Sequence, residues 1–291
     1  MWTEGSMQPG LLRVASHLAP GVEPLYAYLA TYLADRLGRR AEFVVADSYE
    51  RCAQDIDDVC FVCSIPYVLL ADDGRMDMEV VAAPVLRGDR YAGEPVYYSD
   101  VIVAADSPYR AFADLRGCSW AYNEPFSHSG FVTVLHHLAV LGEEVTFFGR
   151  MVEAGFHDVA IRMVAGGTLD AAAIDSQVLE IALRDDPRLA AALRVIGTIG
   201  PSTIQPVVVS RSRLTAAERA AVADALLEVS DDPEARGFLD QALVDGFVTA
   251  GDASYADIRA MLLRVRAAGL VDERWEGRWT TVTRRQDARP G

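Results

Sequence analysis

Short apolar runs of strand length alternate with longer amphipathic stretches along most of the chain. The run LLRVAS (residues 11–16) precedes a predicted helix at 22–37, and AEFVVA (41–46) precedes a second helix that begins after Asp47 and Ser48. Further strands are predicted at 58–64, 78–85, 97–105, 119–123, 146–154, 170–175, 192–200 and 205–212. This alternation predicts an α/β fold with mostly parallel sheets.

The alternation restarts after a polar, Gly- and Pro-containing stretch at 86–95, and three helices are predicted near 215–230, 233–245 and 254–268. We therefore expect two α/β lobes with a helical C-terminal end. The first lobe is predicted to comprise residues 1–100 and 206–291, and the second residues 101–205. Ligands of open α/β sheets bind at the carboxyl ends of the strands, which for paired lobes is the cleft between them.

All 27 basic residues are arginine, and 42 acidic residues bring the net charge of the 291-residue chain to −15. A chain of this length suits two compact units. The absence of lysine excludes Schiff-base catalysis, Walker-type phosphate loops and kinase chemistry. Because the arginines are scattered and outnumbered, nucleic acid is not expected as a partner.

The first ten residues, MWTEGSMQPG, have neither the positive start nor the apolar stretch of a secretory signal. The longest near-apolar run, 60–71, is too short to span a bilayer. We expect a chain with no membrane span that is cytoplasmic as it stands, or periplasmic or otherwise extracytoplasmic if a signal has been removed.

Four cysteines, at 52, 60, 63 and 118, are too few to indicate a disulfide framework. Cys60 and Cys63 have the spacing of metal-binding or redox pairs, but strand residues three apart point to opposite faces. Buried core cysteines are the favoured interpretation, and neither a metal nor a cofactor is expected.

The segment AYNEPFSHSGF (121–131) runs from a predicted strand through a polar turn into a helix. Ser127 and Ser129 lie where the first N–H groups of a helix have no partner. Hydroxyls beside those groups and the positive end of the helix dipole can bind an oxyanion. An ordinary serine N-cap explains the same pattern equally well.

Residues 155–175 are predicted to form a helix, a Gly-Gly stop and a strand that ends at Asp175. A carboxylate at this position either faces the cleft or caps the helix that begins SQVLE. His157, at the start of the earlier helix, is either a cap or a ligand contact.

Together these segments resemble the phosphonate/phosphate-binding (PhnD-like) solute-binding proteins of ABC transporters. The resemblance extends from about residue 11 to 270. It rests on NEPFSHSG, FHDVAIRMVAGGTLDAAAID, DSYERCAQDIDDVCFVCSIPYVLL and YYSDVIVAADSP.

The resemblance implies a two-lobed type II periplasmic-binding-protein fold with the ligand held between the lobes. It places the oxyanion cradle at Ser127, His128 and Ser129. The further ligand contacts that it implies are Tyr49, Tyr97 or Tyr98, Asp175 and His157. We add Tyr122, an aromatic residue flanking the cleft segments, which could instead pack on a lobe surface, and Ser64, in the loop after the third strand.

The expected function is binding of a small oxyanion, such as a phosphonate or phosphate ester, as the substrate-binding component of an ABC-type uptake system. The ligand would be anionic or zwitterionic, and an ABC permease would be the partner. In the family, acidic positions accept hydrogen bonds from a ligand ammonium or a protonated phosphonate oxygen. Neutral donors at a helix terminus can hold an anion without arginine or lysine.

Two alternatives remain open on the sequence. A signal-less cytoplasmic enzyme could reuse the fold, with His157, Asp175 and Glu124 as acid and base in a lyase or dehydratase step. The second alternative is a cytoplasmic sensor that closes on a ligand.

Overall fold

The protein is described by a computed structural model that covers residues 10–46 and 48–271, together with Trp275 and Arg278. The predicted α/β alternation is confirmed, because strands from both halves of the chain form two sheets with helices packed around them. Asp47, predicted as part of a helix cap, lies outside the described residues.

The first sheet has six strands in the order β11-β4-β10-β3-β1-β2. Its strands are β1 Leu11–Ser16, β2 Arg40–Val45, β3 Val59–Phe61, β4 Met78–Leu86, β10 Val207–Ser210 and β11 Val244–Thr249. β1 pairs in parallel with β2 and β3, whereas β10 is antiparallel to both β3 and β4. A strand from late in the chain therefore lies in the middle of a sheet built from early strands.

The second sheet has five strands in the order β7-β6-β8-β5-β9. Its strands are β5 Val96–Ala104, β6 Ser119–Tyr122, β7 Arg150–Glu153, β8 Ala171–Asp175 and β9 Leu193–Thr203. β6 is parallel to β7 and β8, and β5 is antiparallel to β8 and β9. The expectation of mostly parallel sheets was wrong. Both sheets are mixed, because β5, which carries the chain into the second sheet, and β10, which returns it to the first, run antiparallel to their neighbours.

The α-helices of the described residues cover the faces of these sheets. They are α1 Glu23–Arg36, α2 Glu50–Ala53, α3 Ser64–Asp72, α4 Thr133–Leu141, α5 His157–Ala165, α6 Ser176–Asp185, α7 Pro187–Ala192, α8 Ala216–Glu228, α9 Arg236–Ala242 and α10 Ala256–Ala267. α4 follows a π-helical turn at His128–Val132.

Between β4 and β5 the chain passes from the first sheet to the second, and between β9 and β10 it returns. The strands of the first sheet lie within 11–86 and 207–249, and those of the second within 96–203. The lobe boundaries near residues 100 and 206 stay a prediction.

Three predicted elements had wrong boundaries. The strand expected at 146–154 begins only at Arg150, because Val145–Phe147 form a 3₁₀ turn before it. The helix expected at 233–245 ends at Ala242, because Leu243 adopts a left-handed conformation (φ 55°), and β11 follows it. The strand expected at 58–64 ends at Phe61, and Ser64 begins α3. α3 is buried over its first seven residues, so it lacks the polar face by which an amphipathic helix is recognised.

Residues at the carboxyl ends of strands in both sheets meet between the sheets. His17 directly follows β1, Asn123 directly follows β6, and Asp175 ends β8. All three side chains line one cavity, at the position expected for a ligand of open α/β sheets.

Candidate functional site

A cavity of about 50 Å³ lies between the two sheets. The part of the chain that contains the first sheet contributes His17, Tyr49 and Cys63, and the part that contains the second contributes Ser127, Ser129 and Asp175, among others. Most of the side chains around it are buried. The structure therefore represents a closed cleft around a small, partly enclosed space.

Ser127 is the N-cap of the π-helical turn that leads into α4. Its Oγ accepts a hydrogen bond from the Gly130 N–H at 3.0 Å, and the residue also lines the cavity. Ser127 is therefore both a helix cap and a residue of the cavity wall, so the two interpretations of this position are compatible. The hydroxyl hydrogen of Ser127 is not used in the cap and can point to a ligand.

Gly130 allows the turn to approach Asn123 closely. A Cβ at residue 130 would lie 2.1 Å from Asn123 Oδ1 and 3.2 Å from His157 Cε1. Among the described residues, Asn123 Oδ1 has no hydrogen-bond partner although it is buried. Because such an acceptor is costly to leave unpaired, its place beside the cavity favours a ligand that donates a hydrogen bond.

Ser129 and His157 connect the cradle turn to the start of α5. Ser129 Oγ lies 3.2 Å from His157 Nε2, and both residues line the cavity. This contact brings together two residues that the sequence predicted separately. It also orients the Ser129 hydroxyl at the cavity wall.

Asp175 ends β8 and caps α6. Its Oδ1 accepts hydrogen bonds from the N–H groups of Gln177 at 2.9 Å and Val178 at 3.3 Å. Burial, with a smaller contribution from the charges of Asp100 and Glu180, raises the pKa of Asp175 from 3.8 to about 7, against the lowering effect of these two bonds. At neutral pH this carboxyl group is therefore poised between its protonated and ionised forms.

Tyr49 and Glu124 join the two sides of the cleft. The Tyr49 hydroxyl donates to Glu124 Oε1 at 2.8 Å, and the Tyr49 ring stacks on His17 with 5.3 Å between ring centroids. All three residues line the cavity. This contact links the two sides of the cleft in the closed arrangement.

Tyr97 lines the cavity, and burial raises the pKa of its hydroxyl well above the ordinary value, so it stays protonated. His128, by contrast, does not line the cavity and is completely buried, with its ring centroid 5.9 Å from that of Tyr97. Burial lowers the pKa of His128 to about 4. Its imidazole is thus neutral at physiological pH.

Three further predicted residues also lie outside the cavity wall. The Ser64 hydroxyl donates to the Thr203 carbonyl at 3.4 Å, and the Tyr98 hydroxyl donates to the Arg90 carbonyl at 3.1 Å. The Tyr122 ring packs against Phe131 with centroids 4.8 Å apart. Ligand contacts by these residues, and by His128, stay predictions that this closed arrangement does not favour.

Sequence reasoning did not propose His17, Cys63, Asn123, Gln177 and Gln205, which line the cavity as well. A signal was present for two of them, because His17 is a polar residue directly after a predicted strand and Asn123 is the polar last residue of another. None of the lining residues is arginine, and the carboxyl groups among them are those of Glu124 and Asp175. The site is therefore built from neutral hydrogen-bonding groups and acids.

The family model for the periplasmic substrate-binding protein of phosphonate ABC transporters matches residues 15–255. The chain belongs to this family. Its function is therefore that of a substrate-binding component of an ABC transporter, in preference to the enzyme or sensor alternatives. The family is one of periplasmic proteins, and no helix among the described residues is long and apolar enough to cross a membrane.

Solved structures support the two-lobed fold. A binding-protein component of an ABC phosphonate transporter from Pseudomonas aeruginosa matches with a TM-score of 0.76 at 18% identity, over 94% of each chain. PhnD1 from Prochlorococcus marinus, in complex with methylphosphonate, matches with a TM-score of 0.77 at 16% identity, over 91% of this chain and 100% of that one. The aliphatic sulphonate-binding protein SsuA from Escherichia coli has a TM-score of 0.56 at 18% identity, over 95% of this chain and 80% of its own.

Proposed function

We propose that the cavity binds a phosphonate with a very short substituent, in a form that still carries a proton or an ammonium group. A cavity of about 50 Å³ has room for about four water-sized groups, since each needs about 10–15 Å³ by this measure. Methylphosphonate, the ligand of the Prochlorococcus relative, is of this size.

The oxyanion end of the ligand is assigned to the turn at residues 127–130. Ser127 and Ser129 offer hydroxyl donors there, at the start of the helical segment that continues as α4. Helix N-termini attract anions through free N–H groups and the helix dipole. The cradle thus needs no arginine, which agrees with the composition of the cavity wall.

The acceptor end is assigned to Asn123, Glu124 and Asp175. These groups repel a fully ionised oxyanion but accept a hydrogen bond from P–OH or from an ammonium. The observation that carries the proposal is the enclosure of hydroxyl donors and carboxyl acceptors in one small cavity. A sulphonate of equal size has no proton to offer at neutral pH and is expected to bind more weakly.

Calorimetric titration at pH 7 tests the ligand class with methylphosphonate, phosphate, methanesulphonate and acetate. We expect methylphosphonate or phosphate to bind with the highest affinity and methanesulphonate to bind at least about tenfold more weakly, the loss of one hydrogen bond to a charged group. Equal affinity for methylphosphonate and methanesulphonate would contradict the role given to the carboxyl groups.

The role of the cradle is tested by Ser129→Ala, which should lower affinity roughly 10- to 100-fold. Thr215→Ala is a matched control, because Thr215 caps α8 by accepting from the Glu218 N–H and does not line the cavity. It should reduce stability by about 1 kcal/mol without changing affinity. Wild-type affinity in Ser129→Ala would remove this residue from the site.

We further propose that the protein works on the outer side of the cytoplasmic membrane and delivers its ligand to an ABC permease. The family to which the chain belongs supports both statements. Uptake of labelled methylphosphonate should fall to background in cells that lack the gene and return when it is restored. Undiminished uptake in the deletion strain, with tight binding in vitro, would separate ligand binding from transport.

A further inference from the structure

Three donor side chains meet beside the ligand cavity. Cys52 Sγ lies 3.1 Å from His17 Nε2, and the donor atoms of His17, Cys52 and Cys60 all lie within 4.8 Å of one another. Cys52 and Cys60 are completely buried, and His17 is 1% exposed. None of the functions assigned above to the cavity requires the two thiols.

The elements that carry these residues hold them in a fixed relation. Cys60 lies in β3, which pairs with β1 so that Cys60 is opposite Ala15, and His17 directly follows β1. Cys52 comes from α2, packed on the same side. The strand of Cys60 and the residue just beyond the neighbouring strand therefore place two of the donors side by side.

We propose that His17, Cys52 and Cys60 form a binding site for one soft metal ion, Cu⁺ or Zn²⁺, at the wall of the ligand cleft. Two thiolates and one imidazole are the donor types that these ions prefer. Metal–sulphur bonds of about 2.3 Å and metal–nitrogen bonds of about 2.0 Å bring such donors to about 3.5–4 Å from one another. The observed separations therefore require only small shifts.

The surroundings support metal binding over a disulfide. A Cys52–Cys60 disulfide would use only two of the three donors that meet here, whereas one metal ion would use all three. A single ion can enter from the cavity, because His17 also lines it.

An ion at this site would affect the cleft through His17. The His17 ring stacks on Tyr49, whose hydroxyl bonds to Glu124 across the cleft. Fixing the imidazole on a metal would hold Tyr49 in the position that closes the cleft. This inference does not depend on which oxyanion the cavity binds.

The test uses the full chain, reduced and freed of metal, and titrated anaerobically with Zn²⁺ and separately with Cu⁺ against chromophoric chelators. We expect one ion per chain in at least one arm. With Co²⁺ in place of Zn²⁺, thiolate-to-metal charge-transfer absorption should appear.

Cys60→Ser and His17→Asn should each lower metal affinity by more than about 100-fold, because the loss of an outer-shell partner alone costs about 10- to 100-fold. Cys118→Ser is the matched control, since it removes another buried thiol that lies outside the cluster. If Cys60→Ser fails to fold, His17→Asn still tests the site from the cavity side.

The proposal is overturned if the reduced chain takes up neither ion, or if both site variants bind as tightly as Cys118→Ser. Isolation of the chain with a Cys52–Cys60 disulfide and no metal would also overturn it, in favour of a structural disulfide.

Discussion

Asp175→Asn should change the way in which stability depends on pH. Asp175 is 8% exposed and is held at the cavity wall with no arginine among the lining residues. Asparagine has nearly the same shape, and its amide oxygen can accept the hydrogen bonds from Gln177 and Val178 that cap α6. The substitution therefore removes the titrating group and keeps the cap.

The magnitude follows from the pKa of Asp175, which burial raises from 3.8 to about 7. Between these values the folded protein holds a proton that the unfolded chain has released. The contribution of this group to stability is thus fully present below about pH 4 and is lost as pH rises to 7. At about 1.4 kcal/mol for each tenfold change in proton affinity, the loss amounts to about 4 kcal/mol.

We expect the free energy of unfolding of Asp175→Asn, relative to wild type, to rise by about 4 kcal/mol between pH 4 and pH 7 and to level off above. Urea unfolding of the ligand-free proteins at constant ionic strength measures this difference. Asp186→Asn is the control, because Asp186 caps α7 from a less buried position and should show no comparable rise. A difference that is flat or falling over this range would refute the buried, proton-binding state of Asp175.

Two further substitutions test the geometry of the cleft, and a third serves as a control. Gly130→Ala should abolish tight ligand binding in calorimetry and cost about 1–3 kcal/mol of stability, because its Cβ meets Asn123 Oδ1 at 2.1 Å. Gly237→Ala is the control, because Gly237 lies in α9 with open space around the added Cβ. It should raise the free energy of unfolding by up to about 1 kcal/mol, and with it the melting temperature. Tyr49→Phe removes the hydroxyl that bonds to Glu124, so small-angle scattering of the ligand-free protein should report a larger radius of gyration. An unchanged radius would show that this bond does not hold the cleft closed.

The fold was largely predictable because strand and helix periodicities are local properties of the sequence. β1, β5 and β8 begin within one residue of their predicted starts. The errors arose where the pattern of apolar and polar residues does not determine where an element ends. Only one residue in a left-handed conformation, Leu243, separates β11 from the preceding helix. Leucine is not a residue type that indicates a turn, so the sequence gives no sign of the break.

The site was predictable only in part, for a related reason. Residues that end strands, such as Asp175, and residues that open helices, such as Ser127, can be recognised from their neighbours in sequence. The Tyr49–Glu124 contact joins positions 75 residues apart, and the His17–Cys52 contact joins positions 35 apart. The first contact depends on how the two sheets are placed, and the second on how α2 is placed relative to the end of β1. Neither placement can be read from spacing along the chain.

The position of β10 has a consequence for synthesis. β10 pairs with β3 on one side and β4 on the other, so the first sheet has a gap until residues 207–210 have been made. A nascent or truncated chain that ends before this point exposes the unpaired backbone of both strands, which favours aggregation. Chaperone binding should therefore persist through most of translation, and fragments that end near residue 204 should be insoluble even though the second sheet is complete.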